Sequence, residues 1–139
     1  PTVTCTWLKV WIQAHKEVIQ TIYTIIIRDD SGRLISIVPL YAYNSKLIFF
    51  RMKAISLMGG RDQMMTDIIV LPEHQQAVIN LLVNIILKEF DEWDIFSFRR
   101  LDYSRGYTIS LGRVLHKKKI LHSSESRIKI PFLKIEGDW

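Results

Sequence analysis

The chain has 139 residues, of which 48% are hydrophobic and 24% charged, with a formal net charge of +5. That balance supports one compact domain with a sizeable core and excludes a disordered or low-complexity chain. One cysteine, Cys5, excludes an internal disulfide and a cysteine zinc cluster, and the most apolar stretch, 78–87, is about half the ~20 residues that a spanning helix needs.

In chain order, residues 7–19 are expected to form a helix, because Trp7, Leu8, Val10, Trp11, Ala14, Val18 and Ile19 recur near one face. Thr4 or Thr6 would cap it. TIYTIIIR at 21–28 is β-branched and reads as a strand. Asp29-Asp30-Ser31-Gly32 follows as a turn, with Gly32 free to adopt a positive φ. Residues 33–43 then return as the second strand of a hairpin, and Pro39 predicts an edge position or a bulge, since it donates no ladder hydrogen bond. Asn44-Ser45 marks the next turn, 46–55 a third strand, and 56–66 an irregular loop around Gly59-Gly60. A fourth strand is expected over 67–71, ended by Pro72.

The clearest helix spans 73–90. Pro72 stands before it, Glu73 suits its positive end, and its apolar residues cover most of its circumference. Such a helix is buried on more than one side and lies across a sheet. A short strand over 94–99, a helix over 102–116 weakened by Gly106 and Gly112, and an extended segment over 127–135 complete the chain. The fold class is therefore α/β (α+β): a mixed, mostly antiparallel sheet flanked by helices.

Three pieces occur in a recognisable order: DDSGRLISIVPLY, MGGRDQMMTDIIVLPEH and LLVNIILKEFDEWDIFSFRRL. With the opening WLKVWI and the closing PFLKIEGDW they resemble the N-terminal half of the GNAT-like acyltransferases of the BioF2-like, CelD cellulose-biosynthesis type, relatives of the Fem-type peptidyltransferases. The resemblance covers nearly the whole chain. It implies that residues 1–139 form one GNAT-like N-terminal half-domain, and that a second half, which binds the acyl-coenzyme A, lies downstream of Trp139. It also implies a bacterial, cytoplasmic acetyltransferase or other N-acyltransferase with a role in cellulose or exopolysaccharide biosynthesis. The donor would be acetyl-CoA or another acyl-CoA in the full-length protein, with no cofactor on this chain alone. The partners so implied are the C-terminal GNAT half and a small-molecule, saccharide or peptide acceptor. An apolar patch is expected where the second half docks.

The residues themselves bear on that expectation. A GNAT half that holds coenzyme A needs a glycine-rich turn feeding a helix N-terminus, where backbone N–H groups cradle the pyrophosphate. Gly59-Gly60 leads instead into a strand-like segment, and Arg105-Gly106 lacks a closely spaced second glycine. Asp67 is the weak candidate for catalysis: it begins a strand beside the glycine loop, at the family's Thr66-Asp67 position. Two roles are open to it, a contact or base for the substrate amine, and a backbone acceptor that shapes the loop. Arg61 and Asp62 lie in the same loop, where Arg61 would hold a carboxylate or phosphate, or else pair locally. The expected substrate-binding set is thus Gly59, Gly60, Arg61, Asp62, Thr66 and Asp67. Asp94 matches the family's Trp-Asp and reads as a turn-organising residue. His15, His74, His116 and His122 show no metal-ligand spacing, so no metal is expected.

The basic run at 116–119, with Arg99, Arg100, Arg105 and Arg113, offers a phosphate patch or a solvated loop. No aromatic residues alternate with it, which argues against nucleic acid. The rival reading is a non-catalytic binding or scaffolding domain with a degenerate GNAT fold. Under either reading, whether the chain alone is an enzyme stays open.

Overall fold

The computed structural model describes residues 5–47, 49–59, 68–89 and 93–125. Among these the order is α1 (Cys5–Ala14), β1 (Thr21–Arg28), β2 (Leu34–Leu47), β3 (Phe50–Leu57), β4 (Ile69–Val70), α2 (Gln75–Glu89), β5 (Ile95–Ser97) and α3 (Tyr107–Lys117). The strands form one five-stranded sheet in the order β1-β2-β3-β5, with β4 also paired to β2. All pairings are antiparallel except β3 with β5, which is parallel and joined by the α2 crossover. The expected α+β class is therefore observed.

β1 matches its expected bounds, and the turn after it is built as its residues dictate. Asp29 Oδ1 accepts the N–H groups of Ser31 and Arg33 and the Ser31 hydroxyl, while Gly32 sits at φ 83°. β2 departs from expectation at both features that punctuate it. It runs straight through Asn44-Ser45 to Leu47, so the turn falls later. Pro39 lies neither at an edge nor at a bulge: β2 is central, Pro39 pairs with Thr24, and the register shift falls at Ile27/Arg28.

The reason is a change of partner. The Pro39 carbonyl accepts the Met58 N–H at 3.0 Å, so its amide edge faces β3. β3 ends at Leu57, opposite Leu40, and β4 takes over opposite Ile37 and Ser36. The missing donor falls in the gap between the two, where no ladder bond is due.

α2 covers one sheet face. Val78, Leu82 and Ile86 pack with Val38 and Leu40 of β2 and Ile55 and Leu57 of β3. Its other buried side, Ile79 and Val83, meets Tyr107, Leu111 and Val114 of α3. A helix apolar nearly all round is thus buried on two sides, as its sequence requires. Its helical start is a short turn over Pro72–His74, with Glu73 in the first turn.

The opposite sheet face is only partly covered. α1 is shorter than expected, ending at Ala14, and Thr6 lies inside it while Thr4 falls outside the described residues. Trp11 packs there against Tyr41 and Met58. Beyond α1, Ile22, Ile26, Leu34 and Ile69 remain exposed.

α3 begins differently from expectation too. Gly106 does not break a helix but precedes it at φ 72°, and Gln75 Nε2 donates to the Arg105 carbonyl at 2.9 Å, tying the starts of α2 and α3 together. Just before it, Asp102 Oδ1 accepts the Ser104 hydroxyl and N–H. At the other end Lys119 takes φ 57°, its N–H reaches the His116 carbonyl and Ile120 N–H the Leu115 carbonyl, a Schellman motif.

The two turn aspartates make stability pH-dependent. The Ser31 hydroxyl holds the Asp29 carboxyl below its ordinary value, and the Ser104 hydroxyl does the same for Asp102, each against a smaller desolvation effect. A carboxyl more acidic when folded contributes stability above its unfolded pKa and loses it as pH falls through the folded value. The urea midpoint is expected to fall below about pH 4. An Asp29→Asn/Asp102→Asn variant is expected to lose less between pH 6 and pH 3 than the parent.

Candidate functional site

The parallel pair β3/β5 is a change of strand direction within an otherwise antiparallel sheet. β5 is short, so particular residues hold it. Asp94 is the first: its N–H donates to the Lys53 carbonyl at 2.9 Å, and its carboxylate accepts the Lys53 N–H at 2.8 Å. The role is structural, as its strand-starting position suggests, but Asp94 fastens β5 to β3 rather than organising a turn. Farther along, the Ser56 hydroxyl donates to the Ser97 carbonyl at 2.9 Å. Replacing Asp94 with Ala removes a charge-assisted bond and is expected to cost about 1–2 kcal/mol, read as a lower urea midpoint. A structural role for Asp94 would be rejected by loss of binding at unchanged stability.

Gly59 closes β3 at φ 86°, a backbone conformation that a β-carbon disfavours. Of the expected binding set, Gly59 is thus placed at the carboxyl end of β3. Gly60, Arg61, Asp62, Thr66 and Asp67 lie outside the described residues.

A groove of ≈ 240 Å³ lies on the face that α1 leaves open, lined by Val18, Tyr41, Tyr43, Asn44, Ser45, Lys46, Ser56 and Arg99. Its floor follows from strand periodicity. Leu40 and Ala42 join the core under α2, so Tyr41 and Tyr43 face the other way, toward α1. The two rings stack with centroids 5.2 Å apart and 23° between planes. Tyr41 in turn meets the edge of Trp11 at 5.0 Å, which fixes the pair against α1. Arg99 leaves β5 on the same face. Its Nε donates to the Ser97 hydroxyl at 3.3 Å, and the next residue, Arg100, adopts φ 60°, so the chain turns sharply just after it.

The chemistry of this lining is one-sided. Its described residues include two cations, Lys46 and Arg99, together with phenol, amide and hydroxyl groups, and no carboxylate. Strand alternation sets the Asn44 and Lys46 side chains on the face of Leu40 and Ala42, so the strand side chains on the groove's own face are Tyr41, Tyr43, Ser45 and Ser56, with Arg99 just beyond β5. The basic residues picked out by sequence do not form one patch around it. Arg99 belongs to this groove, whereas Lys117 and Lys118 line a separate cleft with Asn80, Asn84 and Val114 between α2 and α3. Sequence reasoning missed Tyr41, Tyr43 and Ser56. The available signal was the Tyr-x-Tyr spacing within a strand, which places both rings on one face.

His15 is engaged structurally, with Nδ1 2.8 Å from the Trp11 carbonyl and its ring stacked on the Trp11 indole. Among the described residues no group of three or more His, Cys, Asp or Glu side chains is placed to hold a metal. Nor is any described helix long and apolar enough to cross a membrane.

No protein-family model matches the chain, and no curated protein matches it. Among solved structures it is similar to a point mutant of the BH1408 protein from Bacillus halodurans, a structural-genomics target. The TM-score is 0.58 at 11% identity, over 96% of this chain and 76% of that one. At that identity the likeness is one of fold alone: the arrangement of sheet and helices recurs nearly end to end in an experimental structure.

Proposed function

We propose that this chain is the N-terminal half of a GNAT-superfamily N-acyltransferase and shapes the acceptor-substrate cleft. The observation that carries the reading is the groove over the open sheet face, bordered by Val18 of the turn after α1 and reaching Arg99 beside the carboxyl ends of the parallel pair β3/β5. The resemblance of the three sequence pieces to the CelD-type family points the same way. Two further features support it. Ile22, Ile26, Leu34 and Ile69 leave an apolar strip of a kind that a docked second half would cover. α2 starts at Pro72–His74 with Glu73 in its first turn, and an acid there repels a pyrophosphate, so the acyl-CoA belongs to the downstream half.

In the reaction so assigned, the acceptor amine attacks the thioester carbonyl of acyl-CoA. The C–N bond forms, the C–S bond breaks, the amine gives up a proton, and coenzyme A leaves as the thiol. This half binds and orients the acceptor, which is worth more to the rate than any group it could add to the chemistry.

The test has two parts. The full-length protein, incubated with acetyl-CoA and a panel of amines, is expected to release coenzyme A thiol only when an amine is present. The 139-residue chain titrated with acetyl-CoA in a calorimeter is expected to give no binding heat. Stoichiometric binding to the short chain would move the cofactor site into this half, and a full-length protein inert toward every amine would favour a scaffolding domain.

A further inference from the structure

We infer that the outer edge of β1 is a self-association surface: two copies of this chain pair their β1 strands antiparallel, about a two-fold axis at Thr24, and join their sheets into one. The inference stands apart from the acyltransferase reading and rests on which way the backbone of β1 points.

β1 is the end strand of the sheet, with β2 on its inner side. The direction of its outer groups follows from Pro39. That residue turns its carbonyl to the Met58 N–H, on the β3 side, so toward β1 it makes a non-hydrogen-bonded pair with Thr24. Thr24 accordingly points its N–H and C=O away from β2. Alternation gives Ile22 and Ile26 the same direction. Among the described residues no strand pairs with that edge.

Sheet edges are ordinarily blunted by charges, by proline or by being short. β1 is eight residues long, and from Thr21 to Ile27 it holds no charged residue and no proline. Ile22 is 43% and Ile26 56% exposed, with Thr24 exposed between them. The strand at the opposite end of the sheet, β5, has only three residues. The described edge that matches β1 in length is therefore β1 of a second copy.

Self-pairing also fixes a register. Centred on Thr24, it brings the N–H and C=O of Ile22 to the C=O and N–H of Ile26 in the second copy, and Thr24 to Thr24, so each outward group meets its complement. The open faces stay on one side, and Ile22 lies beside Ile26 of the second copy, apolar against apolar. A register centred on Ile25 would instead set Ile22 opposite Arg28, where the β1/β2 register shifts. Charge is compatible with the Thr24 register: the two Arg28 residues lie at opposite ends of the pair, about 27 Å apart along the strands and well beyond the ~8 Å screening length. Pairing occupies the β1 edge of both copies, so the assembly closes at two. One strand pairing is a small interface, which makes the dimer reversible.

The experiment is sedimentation equilibrium of the 139-residue chain from micromolar to millimolar concentration, with amide hydrogen exchange at both ends of that range. A monomer–dimer equilibrium is expected, and with it slower exchange of the Ile22, Thr24 and Ile26 amides at high concentration only. The Tyr23, Ile25 and Ile27 amides face β2 and are expected to be protected at both. Thr24→Pro removes an outward donor without touching the β2 ladder. Thr24→Lys sets two ammonium groups opposite each other at the axis. Each is expected to weaken the dimer about tenfold or more. Thr24 is exposed, so Thr24→Lys is expected to keep the urea midpoint of the parent monomer.

A chain that stays monomeric to millimolar concentration, or a dimer that keeps its affinity in both variants, would overturn the inference. So would protection of the Ile22, Thr24 and Ile26 amides that does not depend on concentration, because another segment of the same chain would then hold the edge.

Discussion

Replacing Leu82 with Ala is expected to destabilise the protein by about 2–5 kcal/mol, seen as a large drop in the urea midpoint. Leu82 is fully buried at the centre of α2, among Val38, Leu40, Ile55 and Leu57 of the sheet. Truncation removes the transfer free energy of the lost carbons and opens a cavity between helix and strands. Both sides of that cavity are held in regular structure and collapse poorly. The neighbouring Leu81 is 42% exposed, and Leu81→Ala is expected to cost under about 1 kcal/mol. The two leucines are adjacent in sequence and of one chemistry, so the contrast isolates burial. Equal effects would mean that α2 is rotated relative to the sheet, and the packing derived for the core would fail with it.

Trp11→Ala is the second large effect, expected to cost about 3–5 kcal/mol. Trp11 is the one buried residue of α1. Its indole meets the Tyr41 ring edge-on at 5.0 Å and stacks on His15 at 4.4 Å. It therefore carries the docking of α1 onto the sheet, with Trp7, Leu8, Ile12 and Ile19 partly buried around it. The loss should be local in character. Amides of α1 are expected to exchange faster with solvent, while those of β2, β3 and α2 keep their protection, because the core beneath α2 shares no buried residue with the Trp11 cluster. The groove is affected as well, since Val18 lines it from the turn that follows α1.

The contrast between these two sites says how the molecule is built. One core, under α2, is closed by a helix apolar on two sides. The other, under α1, depends on a single tryptophan, and beyond it the sheet face stays open as a groove and an apolar strip. On the open face aromatic and polar residues gather around Tyr41, Tyr43 and Ser56, while Ile22, Ile26, Leu34 and Ile69 form the aliphatic strip beside them.

Local residue chemistry sufficed for much of this. The 21–28 strand is visible because seven residues of TIYTIIIR lie in a β-branched or aromatic run before the charge at Arg28, with Asp29 and Gly32 supplying their own turn. The burial of α2 on two sides follows from its apolar circumference, and Asp94 was legible as structural from its place before a strand, although its bonds cross to β3 instead of shaping a turn. Gly59 was legible only as part of a glycine loop over 56–66; its place at the end of β3 with φ 86° came from the structure.

Pairing decided the rest. Pro39 looked like an edge residue because proline lacks a donor, yet it is tolerated in a central strand because β3 hands over to β4 beside it. Asn44-Ser45 looked like a turn, but cross-strand bonding to β3 carries β2 through both residues. The groove itself was invisible for the same reason. Tyr41, Ser56 and Arg99 lie far apart along the chain and share a face only through the register of β2, β3 and β5. Composition, turns and amphipathic faces are local properties, so they are written in the order of residues. A groove made by three strands is a property of their alignment, and only tertiary hydrogen bonding sets that.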